Sequence, residues 1–311
     1  MTRAVVFAYH NVGVRCLKVL LAQGVDVPLV VTHADDPGET QWFGSVAATA
    51  AEYGIAAISP ADPNAPEVVA RIAALVPDFL FSFYFRRLLG TALLALPTRG
   101  ALNMHGSLLP KYRGRAPVNW AVLEGERETG ATLHYMTTKP DDGDIVAQTL
   151  VPILPDDTAR EVFDKVTVAA EMTLDRVLPA LTRGNAPRVP QDPAEGSYFG
   201  GRRPEDGIID WSRDATAIHN LVRAVAPPYP GASTAIGGVP ARILRTRVAD
   251  AGASGSRTPA LETDGGRLIA RCGGGGVLEV LALELAGAIV APSALAAQFG
   301  AAPVRLGGAV A

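Results

Sequence analysis

The first part of the chain alternates short apolar runs with stretches of helical spacing. Residues 4–8 and 27–32 are apolar enough to be buried strands, and residues 14–23 between them have helical spacing and stop at Gly24. A glycine there is typical of a helix C-terminus, because it adopts a left-handed backbone conformation without strain. The pattern therefore predicts a strand, helix, strand unit.

The same alternation continues beyond this unit. Two further helical runs end at Gly54 and before Pro77, and strand-like runs follow at residues 78–85, 101–105, 131–136 and 145–153. Strands that alternate with helices are typical of a parallel sheet covered by helices. The chain is therefore predicted to have an α/β fold whose first part is a Rossmann-like parallel sheet flanked by helices.

The pattern of predicted elements changes after one long helix. That helix begins at the capping-box pair Thr158 and Glu161 and ends at Gly184. A polar, proline-bearing stretch follows, and beyond it one helix precedes short strand-like runs separated by glycine turns. We predict a catalytic domain at 1–184, a linker at 185–200, and a small β-rich domain at 201–311. That last domain is expected to be an antiparallel, barrel-like (OB-like) fold with a short helix and a frayed tail.

Composition narrows the class of protein. The net charge of −3 and a pI near 6.0 lack the basic excess of most nucleic-acid-binding proteins. The only two cysteines, Cys16 and Cys272, are far apart, which fits a reducing compartment. We find no signal-peptide pattern and no apolar run of membrane-spanning length. The sequence predicts a cytoplasmic protein with no nucleic-acid partner and no membrane insertion, and it is silent on oligomeric state.

Candidate chemistry lies at the end of the strand at 101–105. Side chains two apart in a strand share a face, so Asn103 and His105 are expected to project together at the ligand-binding end of the sheet. In a later turn, Asp141 is expected to approach His105 and favour a cationic imidazole. An amide, a histidine and a supporting carboxylate suit acyl transfer, since donors stabilise an oxyanion and the histidine moves a proton.

Other chemistries fit the sequence less well. Ser107 lies near His105 but has no GxSxG elbow, and the chain has neither a P-loop nor a GxGxxG fingerprint. The five histidines lack metal-ligand spacing, so no metal is expected. His10 and His33, at predicted strand ends, are expected to line the site or to be structural.

The spaced motifs together resemble one family. The segment 103–110 (NMHGSLLP), then Arg113-Gly114 and 117–120 (PVNW), and later 141–144 (DDGD), are similar to the 10-formyltetrahydrofolate-dependent formyltransferases. The segment 222–232 resembles the start of that family's barrel-like C-terminal domain, so the resemblance covers nearly the whole chain. It implies a formyltransferase with 10-formyltetrahydrofolate as co-substrate.

Within the family, four segments look most like the branch of bifunctional polymyxin-resistance enzymes: VVFAYHNVG, THADDPGETQWFGSVA, FSFYFRRLL and YFGGRRPEDGIIDW. That resemblance implies formylation of UDP-4-amino-4-deoxy-L-arabinose in lipid A modification, a route to antibiotic resistance. The chain departs from this branch in two ways. The decarboxylating dehydrogenase half is not in this sequence, which is therefore either a stand-alone enzyme or part of a longer chain, so no larger assembly is carried over. The sequence also carries a Gly-Gly insertion in YFGGRRP.

The resemblance also implies residue roles. Asn103 would stabilise the transition state, His105 would transfer the proton, and Asp141 would set the charge of His105. The implied folate contacts are Arg87, Leu88, Leu89, Arg115 and the segment Thr137, Thr138, Lys139, Pro140 and Asp141. Arg202 and Arg203 would bind the pyrophosphate of the sugar nucleotide, since arginine presents a fork of donors.

Three alternatives stay open from the sequence. A methionyl-tRNA formyltransferase shares the HxSLLP and DxG core, although such enzymes usually carry a more basic C-terminal domain. A formyltetrahydrofolate hydrolase would use water in place of the amine. A folate- or nucleotide-binding sensor that kept the fold without the chemistry is the third, and the intact Asn, His and Asp set disfavours it.

Overall fold

The fold is described from a computed structural model that covers residues 1–34, 41–252, 258–299 and 302–307. The chain divides into two compact units. The first comprises Met1–Pro117, Glu128–Pro152 and Phe163–Gly200, and the second comprises Val118–Arg127, Ile153–Val162 and Gly201–Ala311. Two short segments of the first 184 residues therefore belong to the second unit.

The elements up to residue 200 follow the predicted alternation. They are β1 (Arg3–Ala8), α1 (His10–Ala22), β2 (Asp26–Val31), α2 (Val46–Glu52), β3 (Ala56–Ile58), α3 (Pro66–Ala73), β4 (Phe79–Phe83), α4 (Thr91–Leu94), β5 (Gly100–His105), β6 (Arg113–Gly114), α5 (Pro117–Leu123), β7 (Glu128–Tyr135), β8 (Ile145–Pro152), α6 (Ala159–Arg183) and β9 (Tyr198–Phe199).

The first sheet has seven strands in the order β3-β2-β1-β4-β5-β7-β8. The first five strands of this order, which are β3, β2, β1, β4 and β5, run parallel to one another. Strand β7 runs antiparallel to β5, and β8 runs antiparallel to β7. The Rossmann-like fold class is confirmed, but the sheet is mixed because its last two strands form a hairpin. That hairpin places the turn carrying Asp141 beside strand β5.

Burial on both faces explains the apolar central strands. All five residues of β4 are buried, and the rings of Phe81 and Phe83 stack with centroids 5.5 Å apart. On one side, Val5, Phe7 and Leu80 pack in a core cluster with residues of the neighbouring helices. Each fully buried side chain of this size contributes roughly 1.5–3 kcal/mol, so the sheet is a rigid platform for the residues at its strand ends.

The capping-box prediction for the long helix is confirmed by its contacts. The Thr158 backbone N–H donates to Glu161 Oε2 at 2.7 Å, and the Glu161 N–H donates to Thr158 Oγ1 at 3.3 Å. These reciprocal bonds satisfy two N–H groups that the helix itself leaves unpaired. At the other end Gly184 has φ +80°, as the predicted stop requires.

The second unit is built on an antiparallel sheet. Its further elements are α7 (Ala215–Val225), β10 (Ala232–Ile236), β11 (Val239–Asp250), β12 (Ala260–Asp264), β13 (Arg267–Arg271), β14 (Val277–Leu285), β15 (Ala288–Val290), α8 (Pro292–Phe299) and β16 (Val304–Arg305). The strand order is β10-β11-β14-β13-β12-β16, with β15 on β14, and an Ile236–Leu306 bridge links the two ends. The sheet is thus nearly closed, which confirms the predicted barrel-like fold. Part of the predicted tail, Val304–Arg305, pairs with β12, while residues 300–301 and 308–311 lie outside the described ones.

The segment predicted to be a linker, 185–200, lies in the first unit and is hydrogen-bonded to it. Val189 pairs with Ile145 of β8, and β9 pairs with β6 in a two-stranded parallel ribbon. The predicted domain boundaries stay a prediction, but these bonds make the segment part of the structure around the candidate site.

Candidate active site

Strand β5 presents Asn103 and His105 on one face. Leu102 and Met104, which alternate with them, are 0% and 1% exposed and pack into the core. Directly opposite, on β7, stand His134 beside Asn103 and Thr132 beside His105. The period of two along the strand thus places the amide and the imidazole together, as the sequence indicates.

A strained turn brings Asp141 to this pair. Asp141 has φ +53°, a conformation rare outside glycine, and Gln191 Nε2 donates to the carbonyls of Asp141 at 3.0 Å and Gly143 at 2.7 Å. Gly143 lies so close to the Tyr135 carbonyl that a Cβ there would collide with it. The DDGD motif therefore needs its glycine for a close backbone approach, which holds Asp141 in place.

The two oxygens of Asp141 have separate partners. Oδ1 lies 3.4 Å from Asn103 Nδ2, 3.5 Å from His105 Nδ1 and 3.5 Å from His134 Nε2. Oδ2 accepts the backbone N–H of Gly114 at 2.9 Å. The structure therefore brings together the three residues predicted to be catalytic, and it adds His134 and Gly114 to them.

The environment of Asp141 keeps it ionised. Burial by itself would raise the pKa of this carboxyl, but the positive charge of His105 and the Gly114 N–H hold the pKa well below its ordinary value. A negative charge is thus fixed among side chains that are almost entirely withdrawn from water. Its attraction for a nearby cation is correspondingly strong.

The second nitrogen of His105 is anchored in the loop that follows β5. Nε2 lies 2.7 Å from the Tyr112 carbonyl oxygen, so it carries a proton and donates. Ser107 is occupied structurally, since its hydroxyl donates to the Lys111 carbonyl at 2.7 Å. The structure therefore gives Ser107 a loop-forming role, in agreement with the absence of a nucleophile elbow.

The loop itself is held by strand β9. The Tyr112 N–H donates to Ser197 Oγ at 2.8 Å, and the rings of Tyr112 and Phe199 stack with centroids 5.1 Å apart. Gly114, at φ +99°, lies against the Phe199 carbonyl so closely that a Cβ would collide with it. The N–H that reaches Asp141 is thus positioned by a residue 85 places further along the chain than the Gly114 that donates it.

The basic residues of this loop differ in what they contact. Arg113 Nη1 forms an ion pair with Asp142 Oδ1 at 3.2 Å, and it is 18% exposed. Arg115 and Lys111 are exposed. Because Asp142 neutralises Arg113, Arg115 is the better placed of the two arginines to meet an anionic ligand, in line with its predicted role.

The residues predicted to contact folate divide by exposure. Leu88 is 71% exposed, Arg87 is exposed and Leu89 is buried in the core. Thr137, Thr138, Lys139 and Pro140 are all exposed. Met136, which directly precedes residue 137, packs against the same core cluster as Leu89. Leu89 therefore supports this part of the fold from the core, while Leu88 and the 137–140 segment present side chains to solvent.

Arg202 and Arg203 lie in the second unit. The Arg202 guanidinium covers the Trp120 ring at 4.9 Å and donates to the Asp206 carbonyl at 2.8 Å. Arg203 is exposed, and its backbone N–H donates to Asp206 Oδ2 at 2.6 Å. The pair thus differs in how much of each guanidinium faces solvent.

His134 is the site residue that sequence reasoning missed. It is 1% exposed and contacts both Asn103 and Asp141. A histidine next to the end of a buried strand was a possible signal, but only the pairing of β7 with β5 identifies its neighbour. His33, by contrast, accepts the Arg86 backbone N–H at 3.0 Å, and burial together with Arg86 and Arg87 lowers its pKa to about 4.

His10 has a left-handed backbone, with φ +66°, directly after β1. Its ring stacks on Phe43 at 3.9 Å and meets Trp42 and Phe163 edge-on. His10 and His33 thus both belong to an aromatic cluster at the carboxyl ends of β1 and β2, outside the contacts of Asp141.

Two properties of the part of the chain that the structure describes concern membranes and metal ions. No helix there is long and apolar enough to cross a bilayer. Within the same residues, no group of three or more His, Cys, Asp or Glu side chains could hold a metal ion.

Comparison with known proteins adds a family to this geometry. Residues 10–178 match the family model "Formyl transferase", and residues 202–299 match "Formyl transferase, C-terminal domain". The first match alone covers more than half of the chain, and it includes Asn103, His105 and His134, whose side chains surround the Asp141 carboxylate.

Three solved structures share the fold. An N-formyltransferase from Helicobacter canadensis, solved with folinic acid and dTDP-3-aminofucose, aligns with TM-score 0.70 and 21% identity over 90% of this chain and 99% of that one. WlaRD, a sugar 3N-formyltransferase solved with dTDP and 5-N-formyl-THF, gives TM-score 0.69 and 19% identity over 92% and 98%. HypX from Aquifex aeolicus, in complex with tetrahydrofolic acid, gives TM-score 0.63 and 17% identity over 96% of this chain and 47% of HypX.

Proposed function

Because the chain belongs to the formyl transferase family, we propose that it transfers a formyl group from 10-formyltetrahydrofolate to the amine of a nucleotide-linked amino sugar. Two of the structures that share its fold over nearly their whole length are sugar N-formyltransferases solved with a formylated folate and a dTDP ligand. That likeness supports a small-molecule acceptor over a tRNA. The balanced net charge of −3 supports the same choice.

One observation carries the chemical part of the proposal. Asn103 Nδ2 and His105 Nδ1 lie side by side next to Asp141 Oδ1, at the long distances of 3.4 and 3.5 Å. An amide N–H and an imidazole N–H that are held together in a buried setting can both donate to the charge that develops on a carbonyl oxygen in acyl transfer. Asn103 and His105 are therefore the proposed donors to the formyl oxygen.

The proposed reaction is direct transfer. The neutral amine forms a bond to the formyl carbon, the bond from that carbon to the folate nitrogen breaks, and the proton lost by the amine is delivered to that nitrogen. Folate supplies only the formyl group and the leaving nitrogen. The bond formed to the amine nitrogen is matched by the bond broken to the folate nitrogen, and the proton moves between the same two atoms. No covalent enzyme intermediate is therefore required.

The contacts of His105 indicate which of its ring nitrogens transfers the proton. Its Nε2–H is held by the Tyr112 carbonyl at 2.7 Å, which fixes the ring plane, and its Nδ1 faces Asp141 at the longer distance of 3.5 Å. The looser side is the one that can exchange a partner when substrates bind. We assign proton transfer to Nδ1, and we assign to Asp141 the stabilisation of the cationic ring.

The residues present fit a folate ligand. Leu88 offers an exposed apolar side chain, and the exposed segment 137–140 offers polar groups. A ring with both apolar faces and hydrogen-bonding edges needs that combination. We retain Arg87, Leu88, Leu89, Arg115 and Thr137 to Pro140 as proposed folate residues, with Leu89 acting as support from the core.

The acceptor can be specified by its sugar and its nucleotide. We propose UDP-4-amino-4-deoxy-L-arabinose in lipid A modification as the first acceptor to test, because four segments of the sequence resemble that branch. The dTDP ligands of the structures above make a dTDP-linked amino sugar the second. Arg202 and Arg203 stay predicted pyrophosphate contacts, with Arg203 the more exposed.

The test measures tetrahydrofolate formation from 10-formyltetrahydrofolate against a panel of UDP- and dTDP-amino sugars. Aminoacylated initiator tRNA and a reaction without acceptor serve as the two controls. Turnover that requires an amino sugar, with formylated sugar recovered in equal amount, is the expected result. Turnover that requires only the tRNA, or formate release without any acceptor, would refute the sugar assignment.

A further inference from the structure

His134 is buried near the end of β7, and both of its ring nitrogens have partners. Nδ1 lies 2.8 Å from the carbonyl oxygen of Tyr135, and Nε2 lies 3.2 Å from Asn103 Nδ2. His134 is 1% exposed, so water has little access to the ring. The protein alone therefore determines where the ring carries its proton.

The partners fix that tautomer. A carbonyl oxygen only accepts, so Nδ1 must carry a hydrogen. Asn103 must face Asp141 Oδ1 with its NH₂ group, since its carbonyl oxygen would otherwise lie 3.4 Å from a carboxylate oxygen. The same NH₂ group then faces His134 Nε2, which has to offer a lone pair. A neutral His134 that satisfies both contacts therefore carries its hydrogen on Nδ1 and accepts at Nε2, whose other neighbour, Asp141 Oδ1, lies farther away at 3.5 Å.

The distances also decide how the two amide hydrogens are used. Asn103 Nδ2, His134 Nε2 and Asp141 Oδ1 form a nearly equilateral triangle with sides of 3.2, 3.4 and 3.5 Å. The two acceptors therefore subtend about 60° at Nδ2, whereas the N–H bonds of an amide diverge by about 120°, so two near-linear bonds do not fit. The shorter contact, to His134, takes one hydrogen, and the second is directed away from that bond.

We infer that His134 is a positioning residue for the proposed formyl transfer: by accepting one N–H of Asn103, it aims the other N–H at the formyl oxygen. This inference rests on the proposed function for its target, although the tautomer itself does not. His134 touches neither substrate in this scheme and acts only through Asn103. A ring that packs without this bond would leave the amide free to turn about its last side-chain torsion.

Three substitutions separate acceptance by Nε2 from mere packing. In His134→Gln an amide oxygen lies the same number of bonds from Cβ as Nε2 does, whereas in His134→Asn it corresponds to Nδ1. His134→Leu keeps bulk and removes both. We expect kcat within about fivefold of wild type for Gln and roughly 10- to 100-fold lower for Asn and Leu, with KM for both substrates unchanged.

A double-mutant cycle tests whether His134 acts through Asn103. In the Asn103→Ala background, His134→Leu should lower kcat by less than about twofold further, because the bond it removes is already absent. A full loss in both backgrounds, or equal kcat for the Gln and Leu variants, would overturn the inference. Thermal unfolding of each variant identifies any that fails to fold, and the Gln variant then carries the test.

A second readout does not depend on activity. With ¹⁵N-labelled histidine, whose five signals are assigned by substitution, His134 should show a protonated Nδ1 and an unprotonated Nε2 near pH 7.5. The Nε2 signal should shift in Asn103→Ala. A protonated Nε2 in the wild type would overturn the inference even if formyl transfer is confirmed. If no amino sugar is a substrate, the proposed function fails while this spectrum still decides the tautomer.

Discussion

Two regions of the molecule each bury a histidine, and they use it in opposite ways. In the first unit, His105 and His134 surround the carboxylate of Asp141, whose Oδ1 lies within 3.5 Å of both rings. In the second unit, His219 Nδ1 contacts Thr246 Oγ1 at 2.9 Å and Nε2 contacts the Pro155 carbonyl at 3.0 Å, while the carboxylate of the exposed Asp156 lies 3.6 Å from Nε2.

The two regions differ in whether the buried group is charged. Burial is the main cause that lowers the pKa of His219, and the nearby Arg223 cation lowers this pKa further. The Pro155 carbonyl and Asp156 act in the opposite direction and raise it. His219 is thus kept neutral and joins segments of the second unit. At Asp141 several donors hold the pKa of the carboxyl below its ordinary value despite burial. A buried histidine is therefore informative about chemistry only when the carboxylate beside it is buried as well, as Asp141 is and Asp156 is not.

The sharpest way to break this comparison is to remove the donors around Asp141. Asn103→Ala and His105→Ala should each lower kcat by roughly 10²- to 10³-fold, because each removes one donor to the developing oxyanion. Steady-state tetrahydrofolate release measures the effect, and His219→Gln, with near-normal kcat, is the matched control. If either alanine variant kept near-normal kcat while His219→Gln lost it, the roles of the two regions would have to be exchanged.

Gly114 tests how tightly the Asp141 region is built. A Cβ at this residue would collide with the Phe199 carbonyl and force a side chain into φ +99°. Gly114→Ala should therefore cost on the order of 3 kcal/mol in the free energy of unfolding, measured by urea titration. Gly54→Ala is the control, since Gly54 has φ +69° with nothing within 4 Å of the added Cβ, and it should cost only about 1 kcal/mol. Equal costs would show that strain alone matters at Gly114.

Asp141→Asn tests the stored negative charge. Because the pKa of Asp141 is lowered in the folded state, its ionisation stabilises the fold above its ordinary pKa, near 4, and this contribution is lost as pH falls further. At pH 7 the variant should be less stable by on the order of 2 kcal/mol, and the difference should shrink below about pH 4. Urea unfolding at pH 7, 4 and 3 measures it. A difference that stays constant across this range would contradict the assignment.

His219 gives the smallest expected effect, with its own pH signature. Since its pKa is lowered by folding, the unfolded chain binds a proton more readily, and wild-type stability should fall as pH drops below about 6.5. His219→Gln should flatten this dependence by about 1 kcal/mol between pH 7.5 and 5. Thermal unfolding across that range provides the measurement. An unchanged slope in the variant would assign the pH dependence to another group.

Much of the fold follows from local patterns in the sequence. The stops at Gly24, Gly54 and Gly184, all at positive φ, and the capping pair Thr158 and Glu161 are short-range features, so the sequence displays them directly. The alternation along β5 likewise places Asn103 and His105 on one face before any tertiary contact is known.

Other features depend on which strands pair, and no local pattern reveals them. The antiparallel placement of β7 beside β5 brings His134 to Asn103, which neither segment shows alone. Proline and polar residues made 185–200 look like a connection, but Gln191 and Ser197 hydrogen-bond to the backbone of the site. Composition describes how such a segment meets water and says little about which backbone groups it binds.

Strand β9 has a consequence for the order in which the chain is made. A ribosome releases the NMHGSLLP loop long before Tyr198 and Phe199 emerge, and those two residues provide the backbone that seats Arg113 and Gly114. Nascent polypeptide that stops near residue 184 already contains Asn103, His105 and Asp141 but lacks the brace that points the Gly114 N–H at the carboxylate. The candidate site is therefore completed late in synthesis, and a fragment cut for expression must extend through residue 199 to contain it.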